Sequence, residues 1–103
     1  MEKAVARIIS YAVRLTDPER IILFGSRARG THNLHSDVDL LIISTLDCRQ
    51  TELELQIGAY AKESCLKADI LIHTPADIES AARSPWSFLT SILREGKVVY
   101  ERP

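Results

Sequence analysis

The chain has 103 residues, 46% of them apolar, with a formal net charge of −1. That length fits one small domain, residues 1–103, able to bury roughly two-thirds of its unfolded surface. Near-neutral charge argues against a nucleic-acid binder, which needs a basic face, and no apolar run approaches the ~20 residues of a membrane helix. Two separated cysteines, Cys48 and Cys65, without metal-ligand spacing suit a reduced, cytoplasmic protein. Glu2, Lys3 and Arg7 stand where a signal peptide would need its apolar core.

In chain order, Val5, Ile8, Ile9, Ala12 and Val13 follow the spacing of an amphipathic helix over residues 3–15, with Pro18 to stop it. Arg20–Phe24 is β-branched and apolar, a strand buried on both faces. Residues 25–35 read as a loop with a short helix ending at Gly30. A second strand runs from Ser36 to Ser44. Val38, Leu40 and Ile42 share one of its faces, and Asp37, Asp39, Leu41 and Ile43 the other. Leu41 and Ile43 need cover, either from a later segment of the chain or from another subunit.

Residues 50–65 have helical spacing, with Leu53, Ile57, Tyr60, Ala61 and Cys65 on one side. Gly58 weakens that helix by about 1 kcal/mol relative to Ala. Ala68–His73 is a third strand, with Asp69 and Leu71 opposite Ile70 and Ile72. Thr74-Pro75-Ala76-Asp77 carries an N-cap, a first-position proline and an acid three residues on. Ser84-Pro85 should open another helix, burying Trp86, Leu89, Ile92 and Leu93; Gly96 ends it before a short strand, Lys97–Tyr100. The whole describes an α/β (α+β) layer: a small mixed sheet of about four strands with helices mainly on one face.

Chemistry concentrates in Ile21–Ile43, IILFGSRARGTHNLHSDVDLLII. Asp37 and Asp39, two apart on a strand, should point the same way from backbone positions about 6.5–7 Å apart. Carboxylates that close repel one another and invite a divalent cation, and Mg²⁺ is typically held by one or two carboxylates together with substrate phosphates. Gly25 allows a sharp turn and close approach of a ligand to the backbone. Ser26 offers a hydroxyl and an N–H to a phosphate if residues 26–30 begin a short helix. Of the nearby arginines, Arg27 is favoured over Arg29 for phosphate contact. His32 and His35 look like half a metal site but read as solvent-facing loop residues. Cys48, Cys65 and His73 read as structural or incidental. Trp86 and Phe88 read as core or interface rather than a base-stacking platform.

Gly25-Ser26, ten residues, then Asp37-x-Asp39 resembles the motif of the polymerase-beta-like nucleotidyltransferase superfamily. GSRARG followed by SDVDLL resembles its smallest members, the minimal nucleotidyltransferases encoded beside HEPN-domain proteins. The resemblance spans nearly the whole chain and implies that fold. It also implies a third carboxylate on a later strand, for which the sequence offers Asp69. Asp37, Asp39 and Asp69 would be the catalytic, metal-holding residues of a two-Mg²⁺ transfer. Gly25, Ser26 and Arg27 would hold the nucleotide, with ATP as substrate. The implied partner is a HEPN-type toxin, neutralised by AMP transferred to one of its hydroxyls, with this chain as antitoxin in a homodimer or a hetero-oligomer with that partner. The alternatives are a binding-only antitoxin with a vestigial site and a nucleotidyltransferase acting on a small molecule.

Overall fold

The β-strand Arg20–Phe24 (β1) is the hinge of the architecture, pairing antiparallel on both sides. The computed structural model describes residues 2–31, 36–45 and 50–103. One neighbour of β1 is β2 (Val38–Ile43), the other β4 (Lys97–Glu101), and β3 (Ala68–His73) lies parallel beside β2, giving the order β3-β2-β1-β4. Alternation along these strands sorts their side chains to two faces.

On one face Ile21, Leu23, Val38, Leu40, Ile42, Ile70 and Ile72 meet two fourteen-residue helices, α1 (Lys3–Thr16) and α3 (Gln50–Glu63). Helix α1 contributes Val5, Ile8, Ile9 and Ala12, as its spacing predicts, and α3 contributes Ile57 and Ala61. Tyr11 and Tyr60 stack between the helices with ring centres 4.3 Å apart. Helix α1 stops at Asp17, left-handed at φ 45°, one residue before Pro18. The Ser44 hydroxyl then donates to the Thr16 carbonyl at 2.7 Å, tying the end of β2 to the end of α1.

On the opposite face Ile22, Leu41, Ile43 and Ile92 form a second core with Phe24, Leu71, Ile78, Leu89 and Leu93. Its lid is the shorter pair α4 (Pro75–Ala81) and α5 (Phe88–Glu95), so helices cover both faces of the sheet rather than mainly one. The cover that Leu41 and Ile43 demand thus comes from the chain itself, leaving them 0% and 1% exposed. They therefore supply no reason for a second subunit. Each such burial contributes roughly 1.5–3 kcal/mol.

The second strand is shorter than the Ser36–Ser44 of the sequence reading, so Asp37 stands immediately before it, and two helix ends differ as well. Helix α5 begins at Phe88, because Ser87 rather than Ser84 caps it, accepting from the Thr90 N–H at 3.0 Å. That start directs Leu89, Ile92 and Leu93 inward and leaves Trp86 outside the helix, 92% exposed rather than buried. Helix α3 ends at Glu63 in a Schellman turn, with Leu66 N–H to Ala61 and Cys65 N–H to Lys62 carbonyls. Cys65 occupies its left-handed position at φ 60°, exposed, instead of joining the buried stripe. Among the described residues, no helix is long and apolar enough to cross a membrane.

Candidate active site

The first strand runs straight into the site. After Phe24 the backbone turns at Gly25 (φ 76°, ψ −156°) into a single helical turn, α2 (Ser26–Arg29). Ala28 and Arg29 N–H groups donate to the Gly25 carbonyl at 3.1 and 3.2 Å, and Gly30 (φ 74°) ends the turn as its spacing predicts. Only glycine fits at position 25. Its φ is left-handed, and a Cβ there would collide with Oδ2 of Asp39.

Register brings the acids together. Phe24 pairs with Asp39 across β1–β2, and Asp39 pairs with Asp69 across β2–β3. All three acids project from the face shared with Leu41, Leu71 and Ile43, as strand alternation requires. One carboxylate oxygen from each of Asp37, Asp39 and Asp69 lies within 4.8 Å of the others. Among the described residues this is the one group of metal-ligating side chains so placed.

Crowding has an electrostatic signature. The Asp39 carboxyl is pushed up to about 6 from an ordinary 3.8. Burial is the main cause, followed by the Asp69 charge, a hydrogen bond with Asp69 and the Asp37 charge, while Arg29 pulls the other way. Protonation of Asp39 relieves that repulsion below about pH 6; a divalent cation would relieve it above. An all-oxygen donor set suits a hard cation such as Mg²⁺ or Mn²⁺ and disfavours soft metals.

Asp39 and Asp69 open into a cleft of about 490 Å³, floored by them and Leu71 and flanked by Gly25 and Arg29, with Asp37 beside it rather than in its lining. Its far wall is α5, through Phe88, Ser91, Ile92 and Glu95. Ser26 sits half-buried at the start of α2, next to the cleft rather than in its lining.

Arg27 departs from expectation. It is 6% exposed, with its guanidinium donating to the Glu2 carboxylate at 2.7 Å and to the Ser36 carbonyl at 3.0 and 3.3 Å. Residues 26–29 make one helical turn, so Arg27 and Arg29 cannot share a face; burial of Arg27 sends Arg29 to the cleft. Arg27 is an anchor that ties α2 to α1's start and to the entry of β2. Asp77, the rival acid, is committed to a capping box with Thr74, whose backbone N–H is the main cause of its lowered pKa, and is also held by His73. His32, His35 and Cys48 lie outside the described residues.

Sequence reasoning missed the α5 wall. The signal was present: Phe88, Ser91 and Glu95 fall at i, i+3 and i+7 beside the inward stripe of Leu89, Ile92 and Leu93, but reading it needed the true start of the helix.

Glycine turn, the Asp37/Asp39 pair and a third acid on the adjacent parallel strand form the arrangement that the resemblance to nucleotidyltransferases leads one to expect. Comparison with known proteins agrees: the polymerase beta nucleotidyltransferase domain profile matches residues 6–103. A proposed protein adenylyltransferase from Methanocaldococcus jannaschii is 34% identical over 84 residues, spanning 80% of this chain and 78% of that protein. Two solved structures share the fold. One, a proposed nucleotidyltransferase from Sulfolobus solfataricus, superposes with TM-score 0.63 at 16% identity over 97% of this chain and 79% of its own. The other, from a toxin–antitoxin crystal structure with AMP-PNP, gives 0.60 at 24% identity over 93% and 73%. The chain belongs to the polymerase beta nucleotidyltransferase family and is a nucleotidyltransferase.

Proposed function

We propose that this chain transfers AMP from ATP to a hydroxyl of a partner protein, a HEPN-type toxin, and acts in the cytoplasm as its antitoxin. The observation that carries the reading is the convergence of Asp37, Asp39 and Asp69 against Gly25 at the mouth of a cleft large enough for a nucleoside triphosphate. Support for a protein acceptor comes from the name of the Methanocaldococcus relative. Support for a toxin partner comes from the toxin–antitoxin structure, whose own nucleotide analogue is AMP-PNP.

Asp37, Asp39 and Asp69 would hold Mg²⁺. When bound, the cation neutralises phosphate charge and steadies the entering and leaving oxygens of an in-line displacement. The chain's own residues do the rest. Gly25 lets the triphosphate approach the backbone closely, and Ser26 supplies a hydroxyl and an N–H beside it. Arg29 adds a positive charge on the cleft wall. Asp69, at the edge strand and exposed, takes the proton from the acceptor hydroxyl. The acceptor oxygen bonds to the α-phosphorus as the bond from that phosphorus to the bridging oxygen breaks, and pyrophosphate leaves.

A protein acceptor docks as a preformed surface, and orientation is worth several kcal/mol of barrier. Intact-mass spectrometry of the partner after incubation with this protein, Mg²⁺ and ATP should show one or more AMP increments with wild type and none with Asp39→Asn. Absence of any increment, with an Asp37→Asn/Asp39→Asn double variant still neutralising the partner, would establish the binding-only alternative.

A further inference from the structure

The α5 wall of the cleft carries a feature that the acid chemistry does not use. Phe88 lines the same cavity as Asp39 and Asp69 yet is 65% exposed, whereas its neighbours Leu89, Ile92 and Leu93 pack into the core. A large aromatic ring left in water at the rim of a cleft that also holds Asp39 and Asp69 forgoes burial worth having.

The ring is nevertheless held in place. Phe24, rooted in the second core and immediately before Gly25, meets Phe88 edge to face, with centroids 6.2 Å apart and planes at 85°. Its backbone is fixed as well: Ser87 caps α5, and the Thr90 hydroxyl lies 2.8 Å from the Ala81 carbonyl and 2.9 Å from that of Ser84. The cleft therefore presents an aromatic ring, held by Phe24, on the wall opposite Asp39 and Asp69.

We propose that Phe88 is a substrate-binding residue that stacks on the nucleobase of the triphosphate whose phosphates lie at Asp39 and Asp69. This rests on the nucleotidyltransferase reading and adds a base subsite to it. Stacking accepts any base with a π-face, so the subsite should favour the larger purines over pyrimidines and treat adenine and guanine within a few-fold of each other.

The test compares calorimetric titrations of Mg²⁺·ATP and of Mg²⁺·tripolyphosphate, which has no base. Phe88→Ala and Phe88→Leu should weaken ATP binding about ten-fold while tripolyphosphate binding stays unchanged, and Phe88→Trp should restore ATP affinity. Phe88→Leu keeps apolar bulk while losing the flat face, and melting curves report whether each variant is folded. ATP affinity unaltered in Phe88→Leu overturns the proposal and leaves the exposed ring as a protein-docking feature. Equal weakening of both ligands also overturns it, because the ring would then only shape the wall. Wild type binding neither ligand would instead sink the Mg²⁺·ATP reading beneath it.

Discussion

Gly25 and Asp39 compete for one volume: the carboxylate of Asp39 lies where a Cβ of residue 25 would be. The turn is thus glycine because of the acid, as well as because of its φ of 76°. Gly25→Ala should strain the backbone and displace Asp39 from Asp37 and Asp69. We expect destabilisation of about 1–3 kcal/mol and loss of Mg²⁺-dependent stabilisation together. Thermal melting with and without Mg²⁺ checks this; a variant that keeps its full Mg²⁺ response would show that Asp39 needs no glycine.

The raised pKa of Asp39 has a calculable direction. Its folded value of about 6 exceeds the ordinary 3.8, so between those pH values the folded chain holds more protons than the unfolded one. Stability without metal should therefore fall as pH rises through that window and level off above it. Asp39→Asn removes the penalty. In chelator it should melt higher than wild type at pH 8, by about 2 kcal/mol once residual screening is allowed for, and no higher at pH 4. Added Mg²⁺ should reverse the ranking at pH 8, because only wild type offers the full carboxylate set.

The two arginines of α2 should separate cleanly. Arg27→Ala loses charged hydrogen bonds to Glu2 and Ser36 from a buried position, which costs about 2 kcal/mol of stability. Arg29→Ala, at an exposed position, should change stability by less than about 0.5 kcal/mol. Nucleotide affinity should respond the other way, with Arg29→Ala weakening ATP and a folded Arg27→Lys retaining it. Denaturant melts paired with ATP titrations decide between the roles.

Gly58 offers the opposite kind of test. It lies inside α3 with nothing within 4 Å of the point a Cβ would occupy and no left-handed φ to preserve. Gly58→Ala should stabilise the protein by about 0.5–1 kcal/mol. A loss of stability in urea unfolding would show that position 58 has no room for a methyl group.

Most of the sheet was legible because its strands alternate without ambiguity. Val38, Leu40 and Ile42 had to face one way and Asp37, Asp39, Leu41 and Ile43 the other, and the structure keeps that partition. The acid cluster was legible in part for the same reason, since periodicity puts Asp69 with Leu71, but the search for a third acid came from the family resemblance. Arg27 was not. One turn of helix carries too little pattern to tell which of two arginines is buried, and its partner Glu2 lies 25 residues away in sequence. The start of α5 is hidden for a different reason: Ser84 and Ser87 are equally good caps in isolation, and Thr90, reaching back to Ala81 and Ser84, decides between them.

The parallel pairing of Asp39 with Asp69 has a consequence for folding fidelity. A slip of one residue between β2 and β3 would turn Asp69 toward the dry core under α1 and α3 and bring Ile70 or Ala68 round to the acid side. Such a misregistered chain could not assemble the triad proposed to hold a cation and would bury an unpaired charge as well. Cation-dependent protection from heat or protease therefore counts only molecules whose strands have paired in the correct register. In effect, the site proofreads the sheet.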